Sequence, residues 1–249
     1  MFEYQTLFDA RGALYNRANL LFPEARSEEA RVILRHLELR AGARWLDVSA
    51  GGGYLSVRAA AQGLPRARFD CDGSLPFVRS AGDGRAVCVS RAETLPFPEG
   101  AAEGAACLAA LHHSEDPAGL CRELLRVTAP GHRVAVGDVV AGSAASRFLN
   151  GFVHRHTESG HRGRFYPTDA LAGFLRTAAG GPVRAERVEV LWTLPSRTDA
   201  IVFCRNLFGL EPSATDRAIA EALDGLGARR SPDAFRIPWT MHFASAART

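Results

Sequence analysis

The sequence predicts an α/β fold, a doubly wound and mostly parallel sheet of seven strands with helices on both faces and helical lid insertions. Short apolar runs alternate with helical stretches between about residues 44 and 140, which is the pattern of repeated βα units. With 249 residues, 47% of them hydrophobic, the chain can bury a core without disulfides or a structural metal. We therefore expect one domain over residues 1–249.

The first forty residues are expected to form an N-terminal helical cap. Ser27 is predicted to be the N-cap of a helix that ends near Gly42. Glu28 and Glu29 favour the positive end of that helix.

Residues 41–140 are expected to form the core of the sheet. Strands are predicted at 44–48, 66–72, 86–89, 104–111 and 132–140. Helices are predicted at 54–62 and 117–127, the second with Asp116 as its N-cap and Pro117 at its first position.

The rest of the chain is predicted to add a strand at 187–194, a closing strand within 235–245, and two insertions over 141–180 and 195–233. Helices are expected at 144–156, 168–178, 199–210 and 215–226. A polar, glycine-containing loop after the first of these helices is typical of a mobile lid.

Composition excludes several classes of protein. All 30 basic residues are arginine, so pyridoxal-phosphate enzymes, lysine aldolases and P-loop NTPases, which need a reactive lysine, are excluded. A net charge of +3, with arginines dispersed along the chain, indicates no nucleic-acid partner. The five cysteines form no CxxC pair, and their odd number predicts reduced thiols.

The sequence also predicts a protein that is neither exported nor membrane-spanning. Acidic residues interrupt the N-terminal segment, and no run approaches about 18 consecutive apolar residues. We expect a cytoplasmic protein with no membrane partner.

A glycine-rich turn follows the first predicted strand, in the segment LDVSAGGGYLS at residues 46–56. Glycines allow a ligand to approach the backbone closely, and the N–H groups of a helix start favour negative or polar groups. The segment is neither a G-x-G-x-x-G dinucleotide fingerprint nor a P-loop. An acid two residues before a G-x-G-x-G-like turn points to a different nucleotide site.

Four segments in this order resemble class I S-adenosylmethionine-dependent methyltransferases, specifically the small-molecule branch related to ubiquinone and menaquinone biosynthesis. They are LDVSAGGGYLS, ARFDCDGS at 67–74, RAETLPFPEG at 91–100, and the stretch 108–138 beginning LAALHHSEDP. The resemblance implies a Rossmann-like fold and S-adenosylmethionine as cofactor, with S-adenosylhomocysteine as product. Ser49 and Arg91 depart from the family pattern, at positions where a glycine and an acid are usual.

The resemblance assigns cofactor contacts residue by residue. Asp47 would orient the glycine turn or the methionine amino group, Asp72 would bind the ribose hydroxyls, and Tyr15 and Arg26 would cap the cofactor and meet its carboxylate. For each acid the alternative is a helix cap or a solvated turn. The full set of predicted cofactor contacts is Asp47, Ser49, Gly51, Gly53, Asp72, Ala92, Glu93, Tyr15 and Arg26.

Histidines are the candidates for proton transfer from an acceptor. His112 and His113 follow the fourth strand, where ligands lie in open α/β sheets, and His161 lies in the predicted lid. The alternative is that these rings only pack. A metal bound by the H-x-H-x4-H segment with Asp138 is a further alternative, but Mg²⁺ prefers oxygen ligands, so no metal is predicted.

An apolar pocket for a small-molecule acceptor is expected beneath the two insertions, although each aromatic residue is also a candidate for the core. The candidates are Phe148, Phe152, Phe165, Trp192, Phe203, Phe208 and Trp239.

The leading hypothesis is methyl transfer to an O, C or N atom of a small acceptor in biosynthesis. A methyltransferase-like cyclase and a non-catalytic cofactor-binding protein are the alternatives. The sequence is compatible with a homodimer.

Overall fold

A computed structural model describes residues 3–82 and 86–249. Residues 1–2 of the expected N-terminal cap lie outside the described residues. The helices are α1 (Glu3–Leu21), α2 (Ser27–Leu37), α3 (Tyr54–Ala61), α4 (Leu75–Arg79), α5 (Pro117–Val127), α6 (Ala144–Phe148), α7 (Thr168–Ala179), α8 (Arg197–Phe208) and α9 (Asp216–Gly225).

The strands form one mixed sheet. They are β1 (Leu46–Val48), β2 (Phe69–Asp72), β3 (Val87–Val89), β4 (Ala105–Leu108), β5 (Arg133–Val139), β6 (Val183–Leu194), β7 (Arg229–Arg230) and β8 (Phe235–Ala247). The order is β3-β2-β1-β4-β5-β8-β6, and the short β7 pairs with β8. Strands β1 to β5 pair in parallel, whereas β8 runs antiparallel to its neighbours. The predicted doubly wound, mostly parallel sheet is confirmed.

The central strands are apolar because both faces of the sheet are covered. Alternate residues of β5 belong to different buried clusters, with Ala135 in the cluster on the α2 and α8 side and Val134 and Val136 in the cluster beneath α5 and α7. A strand buried on both faces reads as a continuous apolar run, which is how the sequence shows it.

Several boundaries differ from the sequence prediction. The prediction that Ser27 is an N-cap is wrong, because α2 starts at Ser27 and its N-cap is Arg26, which makes no side-chain cap bond. That helix ends at Leu37, where Glu38 turns left-handed with φ of 52°. Beyond α6, the expected helix continues as a wider π-type turn over Leu149–Val153. The short α4 and β7 carry too few residues for a periodic signal.

The predicted cap of α5 is confirmed. The Asp116 carboxylate accepts a hydrogen bond from Gly119 N at 2.8 Å, and Pro117 opens the helix. The described cysteines are free thiols, as predicted. Among the described helices, none combines the length and apolar character that crossing a membrane requires.

The close pairing of β5 and β8 gives a direct test of the core. A Cβ added at Gly137 would lie 2.6 Å from the Phe243 ring, whereas one added at Gly173 on α7 meets nothing within 4 Å. We expect Gly137→Ala to lower the free energy of unfolding by about 1 to 3 kcal/mol through overpacking. The control Gly173→Ala should raise it by about 0.5 to 1 kcal/mol. Urea unfolding measures both, and a stable Gly137→Ala protein would contradict this packing.

Candidate active site

The candidate site lies at the carboxyl ends of β1, β2, β4 and β5, beside the point where the strand order reverses between β1 and β4. Open α/β sheets bind their ligands at this edge. Ser49 follows β1 with φ of 60°, and Ala109 follows β4 with φ of 54°. Residues with side chains rarely adopt this left-handed conformation, at a cost of about 1 kcal/mol, and such strain clusters at functional sites.

The glycine turn after β1 has the open backbone that the sequence predicts. Gly51 and Gly53 have φ of 52° and 71°, and Gly53 is the N-cap of α3 without a side-chain cap bond. A Cβ at Gly51 would collide with the Phe77 ring, and one at Gly52 with the Asn16 side chain. The space that these glycines leave beside the backbone is therefore filled by Phe77 of α4 and Asn16 of α1.

Asp72 is the central acid of this region. It is buried at the end of β2 and accepts hydrogen bonds from Tyr4 Oη at 2.8 Å, Gly51 N at 2.9 Å and Ser74 N at 2.9 Å. Burial raises the pKa of Asp72, while these bonds oppose the shift. The predicted ribose-binding acid thus holds the glycine turn, α1 and the start of α4 together.

Aromatic side chains of α1 cover the glycine turn. Phe8 stacks on Phe77 with ring centroids 4.8 Å apart, and Tyr15 meets Phe77 edge-on at 5.3 Å. Asn16 donates to Phe77 O at 2.9 Å. The hollow above the turn is closed in this structure, and only movement of these groups would open it to a ligand.

A small cavity of about 300 Å³ lies beside Tyr4, between β2 and the loop after β3. Ala92 and Glu93 line it, as does His113. The Glu93 carboxylate accepts a hydrogen bond from Ser114 Oγ at 2.6 Å and lies 3.7 Å from the Arg91 guanidinium. The unusual Arg91 is therefore balanced by a neighbouring acid.

A second cavity of about 510 Å³ lies on the other side of His113. Trp192 and Trp239 stack there with centroids 4.0 Å apart, and Phe208 packs beside both. We call this space the aromatic cavity. Its lining residues are Phe8, Arg11, Tyr15, Arg26, Glu29, Ala109, His112, His113, Val139, Leu149, His161, Trp192, Leu207, Phe208 and Trp239.

Arg26 forms a buried ion pair with Glu29 at the wall of the aromatic cavity. Both side chains are buried, and Arg26 also donates to the Tyr15 hydroxyl. Burial lowers the pKa of Arg26, but Glu29, Tyr15 and Tyr54 together more than compensate, so the pKa lies above its usual value. The structure places the two predicted residues Tyr15 and Arg26 in contact, and Glu29 balances the charge of Arg26.

Arg11 is a second cation in this cavity, and no carboxylate pairs with it in the described chain. Its Nη1 donates to Phe208 O at 3.4 Å, and its Nε is buried without a hydrogen-bond partner among the described residues. Burial lowers the pKa of Arg11 to about 10. The cavity is thus mostly apolar, and of its two arginines among the described residues Arg11 is the one without a carboxylate partner, which an anionic ligand would supply.

The three predicted catalytic histidines converge on the same cavity. The ring centroids lie 4.1 Å apart for His112 and His113, 5.5 Å for His112 and His161, and 5.2 Å for His113 and His161. Asp138 accepts from His112 Nδ1 and from His112 N, each at 2.8 Å. We call His112, His113 and His161 the histidine cluster.

Burial keeps much of this cluster uncharged. Desolvation and the neighbouring His112 and Arg11 lower the pKa of His161 to about 2. Burial also lowers the pKa of His113 well below its usual value, and the two neighbouring histidines add to the shift. The His113 and His161 rings are therefore neutral at neutral pH, each with one protonated nitrogen and one nitrogen that carries a lone pair.

Other predicted site residues lie elsewhere. Phe203 is fully buried in the core, and Phe148 and Phe152 line a surface groove with Arg155 instead of the aromatic cavity. Phe165 packs against the His112 ring with centroids 4.8 Å apart.

Asp47 lies buried within β1, in register with Asp70 and Ala106 on the neighbouring strands.

Sequence reasoning missed residues whose role depends on distant contacts. Tyr4 is 68 residues from Asp72, and Asn150 is 11 residues from His161, to whose Nδ1 it is hydrogen-bonded at 3.0 Å. Glu29 was predicted only as a helix-start acid. No local pattern marks Arg11 or Phe77 as site residues.

Comparison with known proteins agrees with this geometry. Residues 46–136 match a family model described as a methyltransferase domain. An S-adenosylmethionine-dependent methyltransferase from Thermotoga maritima, described as a possible histamine N-methyltransferase, has a TM-score of 0.66 at 16% identity, with 99% of this chain and 100% of that chain covered. The resemblance to class I methyltransferases found in the sequence is confirmed.

Two further solved structures share the fold and differ in chemistry. The [4+2]-cyclase SpnF has a TM-score of 0.63 at 20% identity, covering 98% of this chain and 95% of its own. A geranyl diphosphate C-methyltransferase from Streptomyces coelicolor, in complex with Mg²⁺, geranyl diphosphate and S-adenosylhomocysteine, has a TM-score of 0.58 at 14% identity, covering 94% and 84%. The shared fold does not fix the reaction.

The buried Arg26–Glu29 pair predicts a large effect on stability. Glu29→Gln leaves a buried guanidinium without its counter-charge, so we expect the free energy of unfolding to fall by about 3 to 5 kcal/mol. Glu221→Gln is the matched control, because both side chains of the Arg217–Glu221 pair are exposed. It should cost less than about 1 kcal/mol. Equal effects of the two substitutions in urea unfolding would contradict the assignment.

Proposed function

We propose that this chain, which carries a methyltransferase domain over residues 46–136, transfers a methyl group from S-adenosylmethionine to an O, C or N atom of a small organic acceptor. One observation carries the proposal: a buried carboxylate and a glycine turn lie at the carboxyl edge of the sheet, next to an apolar cavity with titratable groups. A biosynthetic role in the cytoplasm is the setting we propose.

The residues at the glycine turn suit the cofactor. The Asp72 carboxylate already accepts a hydroxyl hydrogen bond from Tyr4, which is the contact a ribose hydroxyl would make. The backbone at Gly51, which the Phe77 ring now covers, is the proposed contact of the methionine portion, and Ala92 and Glu93 line the small cavity proposed for adenine. Cofactor binding then requires the Tyr4 hydroxyl to leave Asp72 and Phe77 to leave Gly51.

Several groups of the chain serve the transfer step. S-adenosylmethionine supplies an electrophilic methyl group on a sulfonium. The walls around Trp192 and Trp239 exclude water and hold the acceptor in place, and positioning of this kind accounts for much of the rate in a simple displacement. The proton of the acceptor leaves at the histidine cluster, with His113 and His161 uncharged and His112 held by Asp138.

Arg11 supports an acceptor that carries an acidic group. Its charge lies in the aromatic cavity, and its buried Nε makes no hydrogen bond within the described residues. Arg26 is already paired with Glu29, so Arg11 is the better partner for a carboxylate or a comparable anion. The acceptor we propose is a small aromatic or unsaturated acid.

A cyclase that uses the same fold is the second candidate. The likeness to SpnF and the apolar lining of the aromatic cavity support it. S-adenosylhomocysteine formed in proportion to product supports methyl transfer, whereas product formed without it supports cyclisation. A non-catalytic cofactor-binding protein would give neither.

Cofactor binding is tested by calorimetry with S-adenosylmethionine and S-adenosylhomocysteine. Asp72→Ala should weaken binding by about 1 to 3 kcal/mol, or about 5- to 150-fold, through loss of a charge-assisted hydrogen bond. Tyr4→Phe should leave the affinity unchanged or increase it, because the competing hydroxyl is gone. Glu221→Ala on the exposed face of α9 is the control. No binding by the wild-type protein at millimolar cofactor rules out both enzymatic functions.

Arg11 is tested with a panel of small phenols, enols and amines, each with and without a carboxylate, by measuring S-adenosylhomocysteine release. Arg11→Gln should lower kcat/KM for acidic acceptors by about 10- to 100-fold, as expected for loss of a charge-assisted bond of about 1.5 to 3 kcal/mol. Neutral analogues should change little. A uniform loss across the panel would assign Arg11 to the fold instead of to acceptor choice.

A further inference from the structure

The histidine cluster has the arrangement of a metal site as well as of a proton acceptor. One ring nitrogen from each of His112, His113 and His161 lies within 4.8 Å of the other two. His112 and His161 are buried, and all three face the aromatic cavity. They come from two distant segments. His112 and His113 lie in the turn after β4, and His161 lies in the loop that packs over this turn.

Hydrogen bonds fix which nitrogen of His112 is free. Its Nδ1 faces the Asp138 carboxylate at 2.8 Å and therefore carries the proton. The Nε2 lone pair remains available. A carboxylate that orients a histidine in this way is the usual outer partner of a metal-ligating imidazole.

A second network fixes His161. Asn150 Nδ2 donates to Gly163 O at 2.8 Å, so the Asn150 carbonyl oxygen is the atom that faces His161 Nδ1 at 3.0 Å. Gly163 N also donates to that oxygen at 3.0 Å. Gly163 N also lies 3.4 Å from His161 Nδ1, but its bond to Asn150 is the shorter one, so His161 Nδ1 is the protonated donor and its Nε2 is the second free lone pair. Within the described chain, the His113 ring makes no hydrogen bond.

We propose that His112, His113 and His161 bind one divalent first-row transition-metal ion, such as Zn²⁺, at the wall of the aromatic cavity. Asp138 and Asn150 are the positioning residues of this site. The proposal replaces the sequence prediction of no metal, which considered His154 and His156 together with His161. His154 instead accepts a hydrogen bond from His161 N at 3.0 Å.

The donor set selects the class of metal. Three imidazoles suit Zn²⁺, Co²⁺, Ni²⁺ or Fe²⁺, whereas Mg²⁺ and Ca²⁺ require oxygen ligands. Zn–N bonds of about 2.0 to 2.1 Å in a tetrahedral site place ligand nitrogens about 3.3 Å apart, so the ring nitrogens approach one another by at most about 1.5 Å on binding. Three protein ligands leave a fourth position open, as in catalytic metal sites.

The charged groups around the histidine cluster are compatible with a bound cation. Asp138 is a buried anion bonded to His112, and it offsets the Arg11 charge that also acts on His113 and His161. An acidic acceptor on Arg11 would add a further anion next to the metal. If the proposed function holds, the metal would take over the role of the histidine cluster: it would make an acceptor hydroxyl at the open position more acidic, and the proton would leave to water.

The test uses the full chain, stripped with a chelator and then titrated with Co²⁺ and, separately, with Zn²⁺. We expect one equivalent to bind with micromolar or tighter affinity, and the Co²⁺ protein to absorb in the visible range as a nitrogen-ligated, four- or five-coordinate ion. X-ray absorption of the Zn²⁺ protein should report about three imidazole ligands. These readouts need no variant and no acceptor.

Variants then locate the ion. His161→Ala should abolish binding, and Asn150→Ala should weaken it by about 10- to 100-fold. His132→Gln, in the turn before β5, is the matched control and should bind as the wild type does. Circular dichroism and urea unfolding check that each variant is folded.

Three outcomes would overturn the proposal: no stoichiometric binding by the wild type, a Co²⁺ spectrum of an oxygen-ligated octahedral ion, or unchanged binding by folded His161→Ala. The cluster would then be a set of packed rings. Calorimetry with S-adenosylhomocysteine on the metal-free protein is a separate measurement, so failure of the metal site and failure of the proposed function are distinguishable.

Discussion

The buried carboxylate of Asp72 is the contact on which the arrangement of the site depends. One side chain joins the end of β2 to the glycine turn through Gly51, to α4 through Ser74 and to α1 through Tyr4. A buried acid must have its hydrogen bonds satisfied, because an unsatisfied one costs several kcal/mol. The chain meets this requirement with the Tyr4 hydroxyl and backbone amides, so the carboxylate that we propose as the ribose ligand also holds the closed form together.

The two cavities on either side of His113 differ in polarity. The smaller one is bordered by loops that carry polar side chains, whereas the aromatic cavity is apolar with a few charged groups. A low-dielectric wall strengthens each electrostatic contact inside it. The Arg26–Glu29 pair, the lone charge of Arg11 and the histidine cluster therefore have more influence there than similar groups on the surface.

Local sequence was sufficient for most of the fold. Apolar runs located β1 to β5, and the Asp116–Pro117 pair located the start of α5, because these signals depend on neighbouring residues. The same holds for Asp72, whose place at a strand end follows from spacing. The Ser27 prediction failed because Arg26 is held by tertiary contacts with Glu29 and Tyr15. The Tyr4–Asp72 and His112–His161 contacts join distant segments, which no periodicity reveals.

Helix α1 connects the two cavities mechanically. Tyr4 and Phe8 lie over the glycine turn, and Arg11, on the same face two turns after Tyr4, reaches the aromatic cavity. Any shift of this helix that releases Asp72 also moves the guanidinium in the other compartment. Under the proposed function, a ligand that displaces Tyr4 from Asp72 would therefore change affinity in the aromatic cavity, and linkage would make the effect equal in both directions. A single N-terminal helix thus couples the two proposed binding steps.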